Sequence, residues 1–235
     1  MTIIARKKKQ TTTKILSSVV LLLAALYGLY TQTLEPDNSL KTIEVQQLAE
    51  IPEYDGEHQV IQLNHGRPDF SEEDLKMPLG THFSDLDSFN RVGPANAMLN
   101  KSLFPREERE RLYVKPTGWQ QKFYQDRPLY NRAHLIAFRL TGENNNWKNL
   151  MTATSSLNSP GMTVYEEQVA EYLKETGNHI RYRITPYFKG EELVARGVQM
   201  EAQSIEDKEV SFNVFIYNIQ QGVSIDYTTG RSKAE

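Results

Sequence analysis

Asn131, Arg132, Ala133 and His134 stand in a row, and an asparagine cluster follows at Asn144, Asn145, Asn146 and Asn149, then Asn158. Eight residues further on comes Glu166. These residue types suit phosphate chemistry. A histidine at a strand end serves as a general base near neutral pH. An asparagine side-chain oxygen is a hard ligand that suits Mg²⁺, an ion that keeps most of its waters. An adjacent arginine clamps phosphate through two parallel hydrogen bonds. Each residue also has a plainer role open to it. His134 can be a satisfied structural histidine, Asn158 a turn residue before Ser-Pro-Gly, and Glu166 the acid of a helix capping box. Asn144 to Asn146 read as a loop. Arg139 and Lys148 read either as contacts to a nucleic-acid backbone or as solvated surface charges. Trp119 and Trp147 read as base-stacking or as packing residues. Other chemistries are excluded. There is no H-E-x-x-H, no G-x-S-x-G, no Walker loop and no G-x-G-x-x-G. With no cysteine in the chain, a thiol nucleophile, a disulfide framework and a thiolate zinc site are all ruled out.

The elements that must position these residues are legible in outline. HQVIQLN (58–64) alternates and reads as a strand. Residues 66–95 carry repeated glycine and proline and read as long loops. LYNRAHLIAF (129–138) reads as a strand entering a turn at TGENNN, and KNLMTAT (148–154) as a second short strand. Thr163, with Glu166 three residues on, fits a capping box. Val164, Tyr165, Val169, Tyr172 and Leu173 give an apolar helical stripe, and Gly177 is its stop signal. Segments 179–188 and 193–202 read as a hairpin around Lys189-Gly190, and 210–219 as a further buried strand. The order is α+β with mostly antiparallel strands.

NRAHLI, GENNNWKNL and SSLNSPGM resemble the DNA/RNA non-specific endonuclease family, whose signature is Asp-Arg-Gly-His on a ββα-metal fold. The likeness extends to its membrane-anchored competence DNA-entry and streptococcal extracellular members. It is carried further by DLDSFNR (85–91), KPTGW (115–119), ETGNHIRYRITP (175–186) and the 212–230 end, so it covers about residues 50–230. The resemblance implies a ββα-metal nuclease core on a mostly antiparallel central sheet. It implies His134 as catalytic base, Arg132 as the motif arginine and Asn149 as a residue that positions substrate and site. It also implies Asn158 as the direct metal ligand, with Glu166 reaching the metal through water. Arg132, Arg139 and Lys148 are the candidates for substrate binding. Asn131 replaces the usual aspartate and Ala133 the usual glycine. Some members carry an arginine one helical turn past Glu166, where this chain has Ala170, so a phosphate contact must come from elsewhere.

The implied reaction is hydrolysis of phosphodiester bonds in double- and single-stranded DNA, with RNA as a further substrate. Neutral His134 takes a proton from the attacking water, and the product carries a 5′ phosphate. Mg²⁺, or Mn²⁺ in its place, stabilises the developing charge. Contacts to phosphate and sugar carry no base information, which accords with weak sequence preference. Two other readings stand beside this one. One is a membrane-anchored DNA-binding receptor that does not cut, which would have no use for a general base. The other is a structural ectodomain, which would need none of these polar residues together.

The N-terminus reads as an address. Residues 15–30, ILSSVVLLLAALYGLY, carry no charge, and extension to Leu34 gives twenty residues, enough for one membrane span. Arg6, Lys7, Lys8, Lys9 and Lys14 precede or border it. The positive-inside rule therefore makes 1–14 a basic cytoplasmic tail and 15–34 a transmembrane signal anchor. Residues 35–50 follow as a tether with a short helix at about 39–50, then a nuclease domain over 51–230 and a tail at 231–235. This puts a single-pass protein in the cell membrane with its catalytic domain outside, in reach of DNA-uptake machinery. Cleavage of the same segment as a signal peptide would give a secreted form. Those five basic residues leave 22 basic against 30 acidic residues in 35–235, a net charge of −8. A net-negative body argues against a long basic groove. A metal ion and a few placed arginines must then supply the attraction for nucleic acid.

Overall fold

The structure is a computed structural model that describes residues 40–235. The expected membrane span at 15–34 lies outside the described residues. Among the described residues no helix is long and apolar enough to cross a membrane.

The described residues form, in order, the strands β1 (Thr42–Ile43), β2 (Val60–Leu63), β3 (Gly80–Phe83), β4 (Ala95–Leu99), β5 (Phe123–Tyr124), β6 (Arg127–Pro128) and β7 (Tyr130–His134), then β8 (Leu150–Thr154), β9 (Ile180–Tyr187), β10 (Gly197–Ser204), β11 (Ser211–Tyr217), β12 (Val223–Asp226) and β13 (Arg231–Ala234). A one-turn helix α1 (Phe138–Thr141) precedes β8, and the 14-residue helix α2 (Thr163–Thr176) follows it. Seven strands form the central sheet in the order β1-β2-β11-β10-β9-β4-β3. Every pairing in it is antiparallel except β1 with β2. The mixed α+β class and the antiparallel sheet are as the strand pattern predicts.

On one face of the sheet lies the unit that carries the site. Strands β7 and β8 pair antiparallel, with His134 opposite Leu150 and Tyr130 opposite Thr154, and the chain then enters α2. This is a ββα unit. Helix α2 buries Val169, Tyr172 and Leu173, a stripe at helical spacing, and ends at Gly177 in the left-handed conformation with its N–H on the Leu173 carbonyl at 3.0 Å. That stripe packs in one apolar core with Ala133, Leu135 and Ile136 from the end of β7 and with Tyr182 and Ile184 of β9. Removing one such fully buried leucine or isoleucine from water is worth about 1.5–3 kcal/mol. The ββα unit is therefore held to the sheet by the same contacts that fix its shape.

Several sequence expectations are corrected. The strand at 129–138 stops at His134, because α1 begins at Phe138. The strand at 148–154 starts only at Leu150, after a turn of 3₁₀ helix at Trp147–Asn149. The capping box does not form. Thr163 already has helical dihedrals, and its hydroxyl donates back to the Asn158 carbonyl at 2.9 Å instead of accepting from the helix. The hairpin's second strand begins at Gly197 rather than 193. The loops at 66–95 contain β3, an edge strand too short to show alternation. Neither the tether helix nor the C-terminal tail is seen as expected. Residues 42–43 add β1 to the sheet, Leu48–Glu50 form only a 3₁₀ turn, and 231–234 pair as β13 with β12. The compact unit thus begins at Lys41.

Candidate active site

The ββα unit opens onto a cavity of about 500 Å³. Strand β7 contributes Tyr130, Asn131, Arg132 and His134, α1 contributes Phe138 and Arg139, and the α2 entry contributes Asn158, Thr163 and Glu166. Trp119 and Gln121, and Arg109 and Leu112 from the 105–117 segment, close it. Each residue arrives there for a local reason. A π-turn at Leu157–Met162, with a cis Ser159–Pro160 bond, buries Leu157 and Met162 and leaves Asn158 on the cavity wall. Thr163 ties the start of α2 to the Asn158 backbone, so Glu166 faces the same space from the first turn.

His134 is buried at the end of β7, and its Nε2 lies 2.8 Å from the Asn144 carbonyl. A carbonyl only accepts, so Nε2 carries the hydrogen and Nδ1 keeps its lone pair. Among the described residues Nδ1 has no protein partner. Burial pushes the imidazole down to about 4, with the nearby Arg109 acting the same way against the Asn144 hydrogen bond. The ring is therefore neutral at pH 7 and able to accept a proton. Glu166 moves oppositely. Burial pushes its carboxyl up to about 7, with Glu167 adding to the rise and Arg139 and Arg109 opposing it. Asn158 and Glu166 make no side-chain hydrogen bond or ion pair within the described residues, so hard oxygen donors face the cavity unengaged. Such a donor set fits a divalent cation held by one amide oxygen, with water between it and the carboxylate. Among the described residues no cluster of three or more His, Cys, Asp or Glu is placed to hold a metal, so any ion here must keep much of its water.

Arg132 is held in place by two contacts. Its Nε donates to the Val114 carbonyl, and its guanidinium lies 4.3 Å from the Trp119 ring centroid. Trp119 therefore stacks on an arginine rather than sitting in the core. Asn131 donates to Ser155 Oγ at 3.0 Å and fastens β7 to the turn after β8. Arg139 lines the cavity and pairs with Glu167 at 3.3 Å.

Two residues expected at the site do not line the cavity. Lys148 lies off the cavity and pairs with Asp85 at 2.6 Å. Asn149 is fully buried, with Oδ1 accepting from the Ile136 N–H at 2.8 Å and Nδ2 donating to the Ile136 carbonyl at 2.9 Å. Its own carbonyl takes the Leu135 N–H at 2.9 Å. Asn149 is a positioning residue that locks the backbone following His134. Trp147 is exposed and also off the cavity.

Arg109 went unrecognised in the sequence. It makes no hydrogen bond or ion pair among the described residues, yet lines the cavity and acts electrostatically on both His134 and Glu166. It supplies a cation that Ala170 does not. The mixed-charge run REERER (106–111) offers no signal that separates Arg109 from its neighbours. Three arginines and one acid face this cavity, so it is locally basic on an acidic body.

The family of DNA/RNA non-specific endonucleases matches the chain over residues 74–206. Among solved structures, NucA from Streptococcus agalactiae with no metal bound is similar, with a TM-score of 0.69 and 26% identity over 80% of this chain and 92% of that one. NucA from the same organism with a magnesium ion bound matches with a TM-score of 0.68 and 26% identity over 75% and 87%. The Sda1 nuclease with a bound zinc ion matches with a TM-score of 0.58 and 25% identity over 66% and 81%.

Proposed function

The chain belongs to the DNA/RNA non-specific endonuclease family, and from this premise we propose that it hydrolyses phosphodiester bonds within DNA and RNA with one Mg²⁺ ion, for which Mn²⁺ substitutes. The observation that carries this is the neutral His134, whose Nδ1 has no partner among the described residues, lining one cavity with Asn158 and Glu166, whose side chains are likewise unengaged there. Arg132 and Arg109 hold the non-bridging oxygens of the scissile phosphate. Arg139 does the same once it releases Glu167. His134 Nδ1 accepts a proton from water, and the resulting hydroxide attacks phosphorus in line with the leaving 3′ oxygen. The imidazolium that forms is stabilised by its Nε2–H bond to the Asn144 carbonyl. Asn158 would hold the cation directly and Glu166 through water. When bound, the ion supplies electrophilic stabilisation of the charge that builds on the phosphate and the leaving oxygen. The magnesium-bound NucA relative supports that choice of ion.

The test is cleavage of supercoiled plasmid by the purified protein. EDTA should abolish it, and Mg²⁺ or Mn²⁺ should restore it. Restoration by Zn²⁺ alone would overturn the hard-metal reading, and tight DNA binding without any cleavage would make the protein a receptor.

The uncharged run at 15–30 behind a basic N-terminus supports a membrane anchor with the nuclease domain outside the cell, where DNA uptake is one use for it. Protease added to intact cells should digest the body. Protection of the body until lysis would reverse this orientation.

A further inference from the structure

The candidate active site does not end at the cavity. A second cavity of about 490 Å³ adjoins it. Pro128 lines both, and consecutive residues Asn158 and Ser159 line the first and the second respectively. The wall between them is thin and firmly built, since Ser155 Oγ accepts from Asn131 at 3.0 Å and donates to the Pro128 carbonyl at 2.5 Å. The β5–β6 hairpin lines the second cavity through Tyr124, Arg127 and Pro128, with Phe123 paired to Pro128 and Tyr124 to Arg127. Its side chains are unusual for a two-residue hairpin. Phe123 is 72% exposed, the most exposed large apolar side chain among the described residues. Arg127 lines the second cavity and is exposed, and its side chain makes no hydrogen bond or ion pair among the described residues. Neither residue has a packing role that accounts for it.

We propose that the β5–β6 hairpin is a second nucleic-acid subsite, which grips the strand being cut on one side of the scissile phosphate. Phe123 offers a ring face to an unstacked base, and Arg127 pairs with a phosphate of the same strand. Phe123 is the cross-strand partner of Pro128, which lines both cavities, and Arg127 lines the second; an exposed aromatic and a guanidinium spaced along one path hold single-stranded nucleic acid without regard to sequence, because every base has a π-face and every nucleotide a phosphate. Continuity through Pro128 fixes the occupant as the strand already in the active site. Asp126, at the hairpin turn, is the acid next to Arg127 in sequence and would face solvent-side repulsion from the same phosphates. The inference rests on the nuclease reading and adds a length requirement to it. A substrate too short to cross Pro128 gains nothing from the hairpin.

The experiment measures binding, not turnover, so that substrate survives. Fluorescence anisotropy is read with the full chain carrying His134→Ala, with Mg²⁺ present, on labelled single-stranded DNA of about three and about twelve nucleotides, lengths below and within the site sizes of such surfaces. The longer strand should bind about tenfold more tightly, and adding Phe123→Ala with Arg127→Ala should remove that gain while the short strand's affinity stays put. Loss of one stacked base at about 1–3 kcal/mol corresponds to this range. A gain that persists undiminished in the doubly substituted hairpin would overturn the proposal. So would an equal loss for both lengths, since the hairpin would then be shaping the cavity. Failure of the His134→Ala protein to bind either strand would overturn the nucleic-acid reading itself, and this inference with it.

Discussion

At the scale of single residues, the central feature is a histidine whose protonation is set by its surroundings. Burial takes His134 down to about 4 from an ordinary value near 6.5, and the Asn144 carbonyl selects the tautomer. The metal-free protein should therefore show a neutral imidazole with hydrogen on Nε2 at pH 6, read by ¹⁵N chemical shifts of the ring. A titration near 6.5, or hydrogen on Nδ1, would contradict the assignment. The sign for stability follows from the same shift. The unfolded chain takes up this proton below about 6.5 and the folded chain only below about 4, so the contribution of His134 to stability falls as pH drops through that window. His134 itself was legible in the sequence because the motif surrounds it. The division of labour around it was not. Asn149 looks like an active-site asparagine by spacing, yet its amide closes a two-bond ring on the Ile136 backbone. Arg109 sits in a run of six charged residues from which only the fold selects it.

At the scale of elements, the site depends on how tightly neighbouring segments approach. Trp119, which carries Arg132, is set by the 115–119 turn, and that turn presses against the C-terminal hairpin. A β-carbon added at Gly230 would lie 1.8 Å from the Gly118 carbonyl oxygen, at a backbone φ of +79° that side chains rarely adopt. Tyr130 of β7 also donates to the Gly230 carbonyl at 3.0 Å. Gly230→Ala should therefore cost more than about 2 kcal/mol of stability and lower cleavage by loosening Trp119 and Arg132, checked by thermal melting alongside plasmid nicking. A melting temperature within a degree of wild type would show that this contact is not needed. Elements with a strong period, such as β9, β11 and the apolar stripe of α2, are visible in the sequence. Those that depend on distant partners are not. Residues 231–234 form β13 only because β12 is there to pair with, and Thr163 joins the helix body because the π-turn before it supplies what a cap would otherwise supply.

At the scale of the whole molecule, an acidic body carries a basic cavity. The net charge of 35–235 predicts a protein that cannot hold nucleic acid by a broad field, and the structure places Arg109, Arg132 and Arg139 around one cavity instead. On the proposed reading this would concentrate attraction at the scissile phosphate, beside the residues that would hold the cation. The role proposed for His134 is that of general base in a metal-dependent nuclease. Its most direct test compares plasmid cleavage by purified wild-type protein and His134→Ala, both folded by circular dichroism, at saturating Mg²⁺. Loss of a general base is worth about 10²- to 10⁴-fold in rate, so the variant should fall by at least about 10²-fold while keeping its melting temperature and its affinity for DNA. A folded variant that cuts within about threefold of wild type, far inside the range expected for a general base, would contradict the claim.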